Sequence, residues 1–111
     1  MTTGRIIAEN INFRDQQKPW VSTHLVGEIN CPYKTLVKLL GKPNAQHDDY
    51  KCDAEWAIEV NGKPMTIYNW KDGKNYNGSS GIATTKLTEW HIGGEDNLDA
   101  EIEMLKKALG I

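Results

Sequence analysis

A chain of 111 residues with 39% hydrophobic and 25% charged side chains buries roughly two-thirds of its unfolded surface, so one domain with a packed core is expected and no disulfide or metal staple is required. Thirteen Lys and Arg against fifteen Asp and Glu leave a net charge of -2, with no positive excess for general duplex binding. No run approaches the ~18 apolar residues of a membrane span and no secretory core follows Met1, so the sequence reads as soluble and cytoplasmic, with Cys31 and Cys52 reduced and buried.

Residues 5–13 place Ile7, Ile11 and Phe13 on one parity of an extended chain, which predicts a strand. The polar stretch 15–19 ends at Pro19 and reads as a loop before a second strand over 21–26. Pro32 at the first helical position, with Tyr33, Leu36, Val37 and Leu40 at i, i+3, i+4 and i+7, predicts an amphipathic helix that Gly41 and Pro43 end. After the polar residues 44–51, Ala54, Trp56, Ile58 and Val60 alternate with Asp53, Glu55 and Glu59 as a strand. Asn61-Gly62 supplies the positive-φ pair of a tight hairpin turn, and 65–70 is the returning strand. A Gly- and Asn-rich loop covers 71–81, and a strand over 86–92 is closed by Gly93-Gly94. The last helix, capped by Asp96 or Asn97, buries Leu98, Ile102, Leu105 and Leu109 and stops at Gly110. The expected fold is α+β, an antiparallel sheet of about four or five strands with two helices packed on one face.

Side chains able to carry chemistry concentrate in residues 67–78, Ile-Tyr-Asn-Trp-Lys-Asp-Gly-Lys-Asn-Tyr-Asn-Gly, and in residues 88–94, Thr-Glu-Trp-His-Ile-Gly-Gly. Alternation puts Thr66, Tyr68 and Trp70 on one face of their strand and Met65, Ile67 and Asn69 on the other. Tyr68 and Trp70, next to Lys71, Lys74, Asn75 and Tyr76, combine flat π surfaces with cationic and amide donors, a mixture that holds a base by stacking and a phosphate by charge. Gly73, Gly78 and Gly81 would let backbone N–H groups approach that phosphate as in anion nests. With Trp90 and His91 from the following strand, the candidate ligand-binding set is Tyr68, Trp70, Lys71, Lys74, Asn75, Tyr76, Trp90 and His91. A competing reading makes Trp56, Trp70 and Trp90 the large core residues of a small sheet and the Lys-rich run a solvated turn.

Catalysis finds no support, since no nucleophile stands at a recognisable spacing from His91, and Glu89 beside it suits a hydrogen-bonded pair. His47, Asp48, Asp49 and Cys52 are zinc-ligand types, but with only Cys31 to join them they lack the paired spacing of a structural zinc site. The chain has no Gly-x-Ser-x-Gly, His-Glu-x-x-His or Cys-x-x-Cys. No enzyme activity, metal or cofactor is expected.

These two strings resemble those of a group of short phage and prophage proteins, in which an Asn-Trp/Tyr-Lys-Asp-Gly-Lys-Asn-Tyr loop precedes a Thr-Glu/Asp-Trp-His-Ile-Gly-Gly strand. The similarity spans residues 36–94 and takes in Leu-Gly-Lys-Pro at 40–43 and Asp-Ala-Glu-Trp at 53–56. The resemblance implies an accessory counter-defence protein that binds and disables a host enzyme or host signal. Joined to the loop chemistry, it leads us to expect a binding protein that sequesters a nucleotide-like signalling molecule. A protein inhibitor of a host immune effector, such as a CRISPR-type nuclease, is the alternative, with Asp48, Asp49, Asp53, Glu55 and Glu59 imitating nucleic-acid phosphates. Exposed strand edges and an uncovered sheet face would favour a homodimer.

Overall fold

A computed structural model describes residues 6–8, 10–13, 24–45, 50–95 and 97–111. In chain order the described elements are β1 (Ile6–Ala8), β2 (Ile11–Phe13), β3 (His24–Asn30), α1 (Tyr33–Leu40), β4 (Glu55–Val60), β5 (Lys63–Tyr68), α2 (Lys74–Asn77), β6 (Glu89–Gly94) and α3 (Asp99–Leu109), with short 3-10 turns at Gly78–Ser80 and Thr84–Lys86. The strands form one sheet in the order β1-β2-β4-β5-β6-β3, and every neighbouring pair is antiparallel. The α+β class is as expected from the sequence.

The described sheet has six strands because the single strand expected over 5–13 folds as two. Asn10 takes a left-handed φ of 63°, and the chain turns back so that Ala8 pairs with Ile11 and Ile6 with Asn12. The strand expected over 21–26 is found at His24–Asn30, because pairing with β6 from His24↔Gly94 to Asn30↔Glu89 sets its length; residues 21–23 lie outside the described residues. The strand expected over 86–92 starts later, since Thr84–Lys86 forms a 3-10 turn. It also runs through Gly93 and Gly94 instead of stopping before them. Gly93 pairs there with Thr66 and Leu25, and the position requires glycine because a Cβ would meet Thr66 Oγ1 at 2.6 Å.

Local chemistry accounts for the clearest elements. Asn61 and Gly62, at φ 55° and 80°, form the two-residue turn whose twist matches the β4–β5 hairpin. Pro32 caps α1 from an extended conformation, ψ 149°, one residue before the helix starts. For α3, the Asn97 side chain accepts the Asp99 N–H at 2.8 Å. At its other end Gly110 is left-handed, and the amides of Gly110 and Ile111 donate back to Lys107 and Lys106, closing the helix as a Schellman turn.

The core lies between the sheet and the stripes of α1 and α3, where Leu36, Leu40, Leu98, Ile102, Leu105 and Leu109 meet Ile29, Trp56, Ile58, Val60, Met65, Ile67, Trp90 and Ile92. Gly27, at an irregular step in β3, leaves room for α3, since a Cβ there would meet Ile102 Cδ1 at 2.6 Å. Cys31 and Cys52 are both buried thiols and are not joined in a disulfide. Among the described residues no helix is long and apolar enough to cross a membrane. The face opposite the helices is less bare than the sequence suggested, for Glu55, Ala57, Thr66 and Gly93 are buried.

Candidate functional site

The alternation that buries Met65 and Ile67 sends Tyr68 to the face opposite the helices. Strand register then lays Glu55, Tyr68, His91 and Glu28 side by side across β4, β5, β6 and β3. Trp70, two residues beyond Tyr68, closes over this row. Its ring stacks on His91 at 6.4 Å and 23°, while Tyr68 meets both rings edge-on, 6.0 Å from Trp70 and 5.6 Å from His91. Trp70 is 37% exposed, and the ammonium groups of Lys51 and Lys71 stand 5.3 and 5.6 Å from its ring centre. Lys71 lies equally close to a second ring, Tyr76, at 5.5 Å; Tyr76 in turn packs against Tyr50 with centres 5.1 Å apart.

A buried polar scaffold holds these rings. Asn69, fully buried immediately after β5, accepts the amides of Asp53 and Ala54 through Oδ1 at 2.7 and 3.0 Å and donates through Nδ2 to the carboxylates of Asp53 and Asp72 at 2.9 and 3.0 Å. All four of its hydrogen-bonding positions are thereby used. Asp53 Oδ2 accepts the Asn75 amide at 3.1 Å, and Asn75 Nδ2 donates to the Cys52 carbonyl at 3.0 Å. The Lys71 amide donates to the Lys51 carbonyl at 2.9 Å, and the Lys71 carbonyl accepts Asn77 Nδ2 at 2.8 Å. These bonds fix Lys71 at φ 60°, a left-handed conformation that a long side chain rarely takes.

Of the residues expected to form the site, Tyr68, Trp70, Lys71, Tyr76 and His91 come together. Asn75 is exposed, but its amide nitrogen ties the loop to the segment before β4. Lys74 is exposed on α2, whereas Lys51 and Lys71 set their ammonium groups against the rings. Trp90 must be removed from the set. It is fully buried, packs edge-to-face on Trp56 at 5.5 Å and donates its indole N–H to the Cys31 carbonyl at 2.9 Å. Successive residues of a strand face opposite ways, so Trp90 cannot join His91 in one surface site.

The loop is also not a free turn, and two of its three glycines serve packing and not an anion nest. A Cβ at Gly73 would overlap the Asp53 carboxylate, and one at Gly81 would overlap the Gly73 backbone; these glycines permit close packing of the loop on itself, and the anion beside Gly73 is the protein's own Asp53. Within the acidic series, Asp53 is bonded into the loop and Glu55 is buried, so these two are not displayed as phosphate mimics. Asp48 and Asp49 lie outside the described residues, as does His47 of the zinc-type cluster. Among the described residues no group of three or more His, Cys, Asp or Glu could hold a metal ion.

Tyr50, Lys51, Asp53 and Asn69 were missed as parts of the site. A usable signal was present: Tyr50-Lys51 repeats the aromatic-lysine pair Trp70-Lys71 within an otherwise polar run. Burial, then the nearby Cys52 and Glu55, pushes the Tyr68 hydroxyl above the usual tyrosine range, and burial pushes the Cys31 thiol up. Both groups therefore hold their protons more tightly in the folded protein. Comparison of the chain with protein-family models, curated proteins and solved structures finds no match.

Proposed function

We propose that this protein is a non-enzymatic binding protein that sequesters a nucleotide-like molecule on the surface formed by Trp70, His91, Tyr68, Lys51 and Lys71. The observation that carries this reading is the Trp70–His91 stack with two ammonium groups against the indole. A base stacks on a partly exposed indole for about 1–3 kcal/mol, and a phosphate draws the lysines from the ring into charge-assisted hydrogen bonds. Neither interaction needs a metal or a nucleophile. The counter-defence role, and a host-cell cytoplasmic setting with a signalling nucleotide as the target, rest on the phage-type resemblance of the two strings that build the site.

Calorimetry with mononucleotides, dinucleotides and ADP-ribose tests the reading. Binding to at least one of them is expected, and Trp70→Ala or Lys71→Ala should weaken it 10-fold or more while the melting temperature stays within a few degrees of the parent. Absence of heat with every compound at millimolar concentration overturns the proposal.

A further inference from the structure

We infer that the ligand carries two ring systems joined through phosphate, the chemistry of a dinucleotide; this deepens the nucleotide-binding reading and rests on it. The aromatic surface consists of two platforms. Trp70, His91 and Tyr68 form the first, at the ends of β5 and β6. Tyr76 on α2 and Tyr50 before β4 form the second, and these two tyrosines are 37% and 59% exposed.

Lys71 stands between the platforms, its ammonium 5.6 Å from the Trp70 ring and 5.5 Å from the Tyr76 ring. A base on each platform brings the phosphate that links them to the cation they share. A mononucleotide engages one platform, whereas a second base adds stacking area on the exposed Tyr76 ring beside the same lysine. The backbone at Lys71 independently marks the same position. Its left-handed φ of 60° is held by the Lys51 carbonyl and the Asn77 side chain; a glycine would meet that backbone demand without strain. The strained position is instead occupied by a side chain that reaches both rings, and residues held in sparsely populated conformations cluster at functional sites. Length is limited by charge. Two lysines beside the rings, in a chain of net charge -2, match one or two phosphates and supply no extended positive track for a long strand.

The test is titration calorimetry of the full chain with AMP and GMP, with the linear and cyclic dinucleotides of adenine and guanine, and with a twelve-nucleotide oligodeoxyadenylate. At least one dinucleotide should bind 10-fold or more tightly than its own mononucleotide. Tyr76→Ala should bring that affinity ratio close to one, and Tyr76→Phe, which keeps the ring, should preserve it. Equal affinity of every dinucleotide and its mononucleotide overturns the inference while leaving the nucleotide reading in place. A twelve-mer that binds 10-fold more tightly than the best dinucleotide overturns it in favour of a strand-binding surface. Failure of every compound to bind removes both.

Discussion

Asn69 holds the candidate site together without touching its surface. Its amide satisfies the backbone N–H groups of Asp53 and Ala54 and two carboxylates from inside the protein, and each buried group stranded by its loss costs about 1–3 kcal/mol. Asn69→Ala should therefore lower unfolding free energy in urea by about 2–4 kcal/mol; a loss under about 0.5 kcal/mol would show the scaffold to be dispensable. Lys71 is the opposite kind of residue, strained in the backbone and useful only through its side chain. Lys71→Gly should leave the melting temperature unchanged or raised, because relief of the left-handed φ offsets the entropy of a freer unfolded chain, while nucleotide affinity falls 10-fold or more. A marked drop in melting temperature would make Lys71 structural. Tyr68 supplies the pH dependence. Its folded-state pKa is raised, so above the ordinary tyrosine value of about 10 the unfolded chain binds fewer protons and stability falls until the folded protein titrates too. Tyr68→Phe should flatten this alkaline loss relative to the parent, and urea midpoints measured across that range at matched ionic strength check it.

At the scale of the element, the segment from Asn69 to Ile82 behaves as a unit of structure. The Ile82 amide donates to the Asp72 carbonyl at 2.9 Å, the Asn77 amide to the Gly73 carbonyl at 3.1 Å, and Gly73 and Ile82 form a parallel bridge. Gly73→Ala drives a methyl into the Asp53 carboxylate and should release the loop while leaving the β4–β5 hairpin and α3 in place. Hydrogen exchange should accelerate in residues 71–82 and in the Tyr50-Lys51 segment, with ligand affinity lost in parallel; unchanged protection in that loop would contradict this packing. The β4–β5 hairpin stands apart from this dependence, because its register follows from its two-residue turn and from the alternation of its own side chains.

Across the whole molecule, the two longer helices and the ring cluster use opposite faces of the same sheet. Burying Trp56, Trp90 and the α1 and α3 stripes on one side gives the rings on the other a rigid support, as a precise binding site requires. Phosphate is expected to be held by lysines at the surface, where salt screens charge. Raising ionic strength from about 0.1 M to about 1 M shortens the Debye length from about 10 Å to about 3 Å. Affinity for a phosphorylated ligand should fall several-fold over this range while that for the matching nucleoside changes little, as calorimetry in the two buffers would measure. Equal salt response of nucleotide and nucleoside would remove Lys51 and Lys71 from the phosphate-binding role.

Local pattern was sufficient for the α+β class, the Asn61-Gly62 hairpin, the α1 and α3 stripes with their glycine ends, and the parity that separates Tyr68 from Met65 and Ile67, because spacing and turn chemistry act between residues a few positions apart. It was also enough to gather Tyr68, Trp70, Lys71, Tyr76 and His91 as candidates, since they fall in two adjacent motifs. Tertiary structure decided the rest. Trp70 and Trp90 are the same residue type in similar company, and only the placement of the helices makes the face carrying Trp90 the core and leaves Trp70 partly in solvent. The split of residues 5–13 into β1 and β2 followed from a turn at a left-handed Asn10, in a stretch whose apolar pattern alone reads as one strand. Tyr50 and Lys51 reached the site through the Lys51–Lys71 backbone bond and the Asp53–Asn69 pair, contacts between distant segments that exist only once the sheet has brought the start of β4 beside the end of β5.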